Sequence, residues 1–175
     1  MSKLACMPEQ RGETPVDLLI PDLPAGLRCR PMVAEDIAAL LPIEKAGQPT
    51  PWTAQIFTDC LRPGYCCHVV VTEGGDDETL VAFQVLSHVL DEAHLLNIAV
   101  HPDWQQRGIA ASLLRHTMAH LSEVRISMLY LEVRESNSAG RKLYRRLGFI
   151  QAGRRKDYYI GAGGREDALL MLRHL

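Results

Sequence analysis

Residues 97–111 read Asn97-Ile98-Ala99-Val100-His101-Pro102-Asp103-Trp104-Gln105-Gln106-Arg107-Gly108-Ile109-Ala110-Ala111. An apolar strand passes through a turn into a helix whose opening is built from Gly108, Ala110 and Ala111. Small residues there let the backbone approach a ligand closely. The unpaired first-turn N–H groups and the helix dipole favour an anion. The same pattern also suits a tight strand–helix connection with small packing residues. The Gly-Lys-Ser/Thr of a Walker loop is missing, which argues against kinase or NTPase chemistry.

Outward from this segment, the pattern predicts a chain of alternating elements. Ile109, Leu113, Thr117 and Leu121 form one stripe of a helix from about Gly108 to Ser122. Met128–Val133 is a short apolar strand, and Asn137 caps a helix that runs to Leu147 and stops at Gly148. Ile150–Tyr159 and Ala168–Leu172 close the chain as strands. Upstream, Leu80–Val89 and His94–Val100 pair across Asp91-Glu92, and Cys66–Thr72 ends at a turn over residues 73–77. Asp36–Leu41 is helical by its i, i+3, i+4 spacing, and Thr50-Pro51-Trp52 opens a second helix through Leu61. Residues 1–27, rich in Pro, Gly and acids, are expected to form a poorly ordered extension before one domain over 28–175. The strand-helix-strand-helix centre implies an α/β fold, a mixed sheet flanked by helices.

The 175 residues are 47% hydrophobic and 23% charged, which suits one globular domain and excludes fibrous or low-complexity classes. No apolar run reaches the ~18 residues of a membrane span, and neither a signal peptide nor a membrane partner is expected. Five cysteines lack metal or disulfide spacing, so a reducing cytoplasm, buried apolar thiols and no metal are expected. The charge is uneven: residues 1–100 carry a net −8 and residues 101–175 a net +6. The basic half fits an anionic ligand, either nucleic acid or a polyphosphate cofactor.

Glu132 is the second signal. Strand alternation sets it with Met128 and Tyr130, opposite Leu129, Leu131 and Val133. A carboxylate in an apolar strand is costly unless paired, hydrated or functional. It reads either as a general base or as the partner of Arg134 or another arginine. Tyr144 borders the stripe Ala139, Leu143 and Leu147, as a packing residue or an acid. Asn137 taken alone is an N-cap.

In combination these residues resemble the Gcn5-related N-acetyltransferase (GNAT) superfamily. Gln105-Gln106-Arg107-Gly108-Ile109-Ala110 matches its pyrophosphate loop, with Ala110 as the permitted variant of the last position. Asn137, Leu143-Tyr144 and Leu147-Gly148-Phe149 match its later segment. Pro51-Trp52, Leu90–Ala93, Asn97–Val100, Leu131–Arg134 and Gly164–Ala168 are similar to the RimI-type enzymes, which acetylate the N-terminal alanine of a small-subunit ribosomal protein. The resemblance covers residues 28–172.

The resemblance implies that acetyl-CoA lies in a splay between strands 94–100 and 128–133. Backbone groups of Ile98, Ala99 and Val100 would hold the pantetheine and polarise the thioester. N–H groups of residues 106–111 would take the pyrophosphate, with Gln105 and Asn137 completing the cofactor contacts. Glu132 would be the base and Tyr144 the acid. Trp52, Tyr158 and Tyr159 are the candidate peptide contacts, and each also reads as packing. The acidic first half would attract a basic peptide. Three competing readings remain: a GNAT acting on lysine or a small amine, a CoA-binding sensor, and a nucleic-acid binder. The last lacks any recognised nucleic-acid motif.

Overall fold

Val69, Val70 and Val71 are all fully buried, a two-sided burial open only to a strand covered on both faces. In the computed structural model, which describes residues 17–74, 78–161 and 163–175, they lie in β2 (Tyr65–Thr72). The other strands are β1 (Leu27–Pro31), β3 (Leu80–Val89), β4 (Glu92–Val100), β5 (Met128–Arg134), β6 (Ile150–Gly161) and β7 (Gly164–His174). The helices are α1 (Ile37–Gly47), α2 (Ala54–Cys60), α3 (Ile109–Glu123) and α4 (Ser138–Arg146). One seven-stranded sheet runs in the order β1-β2-β3-β4-β5-β7-β6. Among the described residues only β4 and β5 pair in parallel, and α3 makes the crossover between them. The fold is the mixed sheet flanked by helices that the pattern implies.

Helices α1 and α2 set Leu40, Ile43 and Phe57 against Val69, Phe83 and Val85 of the sheet. Leu114, Met118 and Leu121 of α3 share a second cluster with Leu129, Leu131 and Val133 of β5 and with Tyr144 and Leu147. The expected α3 stripe is buried throughout.

Several boundaries differ from expectation, each for a local reason. β1 was not expected, because Arg28, Arg30 and Pro31 mask the alternation of Leu27 and Cys29. At a sheet edge those polar residues and the proline are tolerated. Helix α1 continues through Pro42, where one backbone bond is lost but Ile43 and Glu44 are buried. Helix α2 starts later than Thr50: the cap is Thr53, whose hydroxyl accepts from the Ile56 N–H. Ala139 is exposed and Tyr144 buried, which reverses their places on the α4 stripe. The turn at 73–77 lies partly outside the described residues, as do residues 1–16 of the expected extension.

Residues 17–27 do not fit a poorly ordered segment. The Leu18 N–H donates to the Cys29 carbonyl at 2.7 Å and Ile20 is buried. The Ser112 hydroxyl donates to the Asp22 carbonyl at 2.6 Å, and Arg115 Nε meets the Asp22 carboxylate at 3.0 Å. Cys29, Cys60 and Cys67 are buried free thiols, and burial pushes the Cys29 and Cys67 thiols up to about 12.

His68 of β2 is buried beside a small pocket that is also lined by His116 and His120. Its Nδ1 accepts from Gln84 Nε2 at 3.0 Å, so the ring is neutral with its proton on Nε2. Burial, and then the neighbouring His116 and His120, lower its pKa to about 4. The unfolded chain therefore binds the His68 proton first as pH falls. The contribution is intact above pH ~6.5 and is lost progressively toward pH ~4, to a total of about 3 kcal/mol. Thermal melts over this window should show a falling Tm, and a His68→Gln variant should show a flatter profile.

Candidate active site

Parallel pairing of β4 with β5 covers only Glu92–Leu95 against Met128–Leu131. Beyond these residues β4 stays with β3 and β5 stays with β7, so a wedge opens in the middle of the sheet. The divergence begins at a β-bulge. Val85 faces Asn97 and Leu86 faces Leu95, which leaves Leu96 as the extra residue. One extra residue reverses the alternation. Ala93 and Leu95 join the α3 cluster, whereas Asn97 and Ala99 meet the α1 side.

The wedge is a cleft of about 760 Å³. It brings together Trp52, Ile98, Glu132, Asn137, Tyr144 and Tyr159 from the expected site. Ala99 and Val100 continue β4 beyond this lining, half-buried. Tyr158 is exposed outside the cleft, edge-on to Tyr159 at 5.0 Å and near the Arg155 guanidinium. The cleft also holds Gln48, Thr50, Asn97 and Arg134, none of which the sequence singled out as a site residue. Asn97 and Arg134 fell within quoted motifs, but only the folded chain shows which way they face.

Glu132 is partly exposed, and its carboxylate lies 3.2 Å from Arg155 Nη2. Arg134 instead reaches Thr50 Oγ1 at 2.8 Å, Glu166 at 3.4 Å and the Ile160 carbonyl, and it lies over the Tyr159 ring at 4.1 Å. It thereby joins the 48–53 loop to the β6–β7 hairpin. Burial pushes the Tyr159 phenol up to about 12, with the Glu132 charge the next cause. Burial raises the Tyr144 phenol well above its ordinary value, with Tyr159 contributing next. Asn137 caps α4 through Oδ1, which accepts from the Gly140 N–H at 2.8 Å.

Residues 105–111 lie past the end of β4, outside the cleft lining. Gln105 donates to the Val100 carbonyl, Gln106 has a left-handed φ of 59°, and Arg107 lies over Trp104. Gly108 is the N-cap of α3 with φ 85°. The first helical bond runs from the Ser112 N–H to the Gly108 carbonyl, which leaves the N–H groups of Ile109, Ala110 and Ala111 before the ladder. The first turn holds no acidic residue, and a Cβ at Gly108 would meet nothing within 4 Å. Among the described residues, no group of three or more His, Cys, Asp or Glu could hold a metal ion, and no helix is long and apolar enough to cross a membrane.

Residues 33–149 match the family model described as "Acetyltransferase (GNAT) family". The chain belongs to the GNAT family. It is an acetyl-CoA-dependent N-acetyltransferase. It is 39% identical over 136 residues to the [Ribosomal protein bS18]-alanine N-acetyltransferase of Escherichia coli K12, covering 78% of this chain and 89% of that protein. The crystal structure of the ribosomal-protein-S18-alanine N-acetyltransferase from Escherichia coli superposes with TM-score 0.78 at 35% identity, over 85% of this chain and 93% of that one. Arabidopsis thaliana NAA60, solved in complex with acetyl-CoA, shares the fold at TM-score 0.76 and 20% identity, over 85% and 98% of the two chains.

Because the space around Gly108 is open, replacing it tests the backbone alone. Gly108→Ala should cost about 1–2 kcal/mol of stability through the left-handed φ, read as a lower urea midpoint with an unchanged slope.

Proposed function

We propose that the protein transfers the acetyl group of acetyl-CoA to the N-terminal alanine amine of a small-subunit ribosomal protein. The observation that carries this reading is the open β4–β5 wedge, with Glu132 and Tyr144 lining one cleft. The identity to bS18-alanine N-acetyltransferases supports the choice of substrate.

Acetyl-CoA supplies the activated acyl group. Ile98, Ala99 and Val100 offer backbone groups on the β4 side that has lost its β5 partner, where they hold the pantetheine and polarise the thioester carbonyl. The N–H groups at 106–111 hold the pyrophosphate, with Gln105 supporting the turn. Asn137 at the cleft edge contacts the cofactor arm.

An α-amine has a pKa near ~8 and is partly neutral at physiological pH, whereas lysine near ~10.4 needs more help. Glu132 accepts the proton released as the amine attacks, directly or through water. Tyr144 remains a neutral phenol in its buried site and donates its proton to the departing thiolate. Trp52 and Tyr159 line the peptide side, with Tyr158 at its outer edge.

Incubation with acetyl-CoA and a short alanine-starting peptide, beside an N-terminally blocked copy, tests the reading by mass spectrometry. Acetyl is expected on the terminal amine of the free peptide only. Acetyl on lysine, or none despite CoA binding, overturns it. Glu132→Gln and Tyr144→Phe should each lower kcat by about 10²-fold or more with little change in acetyl-CoA affinity. Full activity in either variant removes that residue from its role.

A further inference from the structure

Residues 17–26 lie ahead of residue 33, where the family match begins, and they are fastened beside the turn assigned to the pyrophosphate. Ile20 is buried in one cluster with Ile109 and Leu113 of α3, against which Ile98, Val100 and Trp104 also pack. The Leu18 N–H donates to the Cys29 carbonyl at 2.7 Å, and the Leu23 N–H closes a turn on the Ile20 carbonyl at 3.1 Å. Ser112 of α3 is 2% exposed, and its hydroxyl donates to the Asp22 carbonyl at 2.6 Å.

That hydroxyl distinguishes the contact from a chance apposition. A serine within a helix commonly turns its hydroxyl to water or back to the carbonyl four residues earlier. Ser112 instead satisfies a backbone acceptor of another segment, where water is excluded and an unmade bond would be costly. The same oxygen accepts from Arg115 Nη2 at 3.3 Å, while Arg115 Nε meets the Asp22 carboxylate at 3.0 Å. Both partners of that ion pair face solvent, so it contributes little. The buried bond and the Ile20 side chain hold the segment.

The turn over residues 105–108 is exposed throughout, and Gln106 and Gly108 both have a left-handed φ. Its side-chain bonds are local ones, from Gln105 to the Val100 carbonyl and from Arg107 to the Asp103 carbonyl. Support from the interior enters at its two flanks, because Trp104 before it and Ile109 after it reach the cluster that holds Ile20. A loop gains affinity when it is ordered before its ligand arrives. We propose that residues 17–26 brace the pyrophosphate turn: Ile20 and the Ser112–Asp22 bond fix the first two turns of α3 and so tighten acetyl-CoA binding from outside the cofactor contacts. The assignment rests on the acetyl-CoA reading of residues 106–111. Ile20 is then a positioning residue: it acts through the turn, on affinity for the cofactor and not on the chemical step.

Titration of the protein with CoA tests the brace. Ile20→Ser, which withdraws the apolar anchor, should raise the CoA Kd about 10-fold, with peptide KM and kcat at saturating acetyl-CoA near those of the parent. Ile20→Val should keep the parent affinity. Met32→Ala opens a void in the α1–α2 cluster instead, and should lower Tm while leaving the CoA Kd unchanged. Linkage requires the reverse effect as well: CoA should slow hydrogen exchange at the Leu18 and Leu23 amides of the parent by a similar factor. A folded Ile20→Ser variant with the parent Kd overturns the proposal, and so does a Met32→Ala variant that loses as much affinity. Should Ile20→Ser not fold, the exchange measurement on the parent decides. A parent that binds CoA while exchange over residues 17–26 stays the same overturns the brace alone. One without measurable CoA binding overturns the cofactor reading together with it.

Discussion

The loss of pairing between β4 and β5 after Leu95 and Leu131 organises the rest of this molecule. Interior strands normally satisfy their backbone groups on both sides. Here each strand keeps one neighbour, β3 or β7, and leaves its other edge toward the wedge. An open edge at the middle of a sheet is sustained only because the flanks are well covered. Phe57 and Phe83 pack edge to face at 5.3 Å on the α1–α2 side, and Leu114 of α3 and Leu129 of β5 are fully buried in one cluster.

Around that gap, distant parts of the chain are fastened by polar contacts rather than by apolar packing. Arg134 joins the 48–53 loop to the last hairpin, and Glu44 joins the same loop to β4. Hydrogen bonds to charged groups are directional and contribute about 1.5–3 kcal/mol each. They suit walls that must keep a fixed separation, for which apolar contacts give weaker angular control.

Most of the architecture was legible because it depends on local periodicity. The stripe Ile109, Leu113, Thr117 and Leu121, and the alternation of Leu129, Leu131 and Val133, follow from residue spacing alone and are buried as expected. What stayed hidden was non-local. β1 is polar by composition and becomes a strand only beside β2. Thr50 looked like a cap until the Trp52 N–H was taken by a carboxylate eight residues earlier. Tyr144 looked like a border residue, yet it is closed in by Phe149 at 5.7 Å. The bulge at Leu96 leaves no trace in composition, although it decides which way Asn97 and Ala99 face. Of the candidate site, the cleft gathers Glu132, Tyr144, Asn137, Trp52 and Tyr159, while Tyr158 and the 105–111 turn lie outside its lining.

The segment over residues 17–26 bears on how the protein can be handled. Ile20, with Leu18 and Leu23 beside it, packs with Ile109 and Leu113 at the start of α3. A chain shortened to begin at residue 28 would uncover that apolar surface next to an exposed edge strand, the combination that favours self-association. Residues 17–26 thus pack with β1 and α3, ahead of residue 33 where the family model begins.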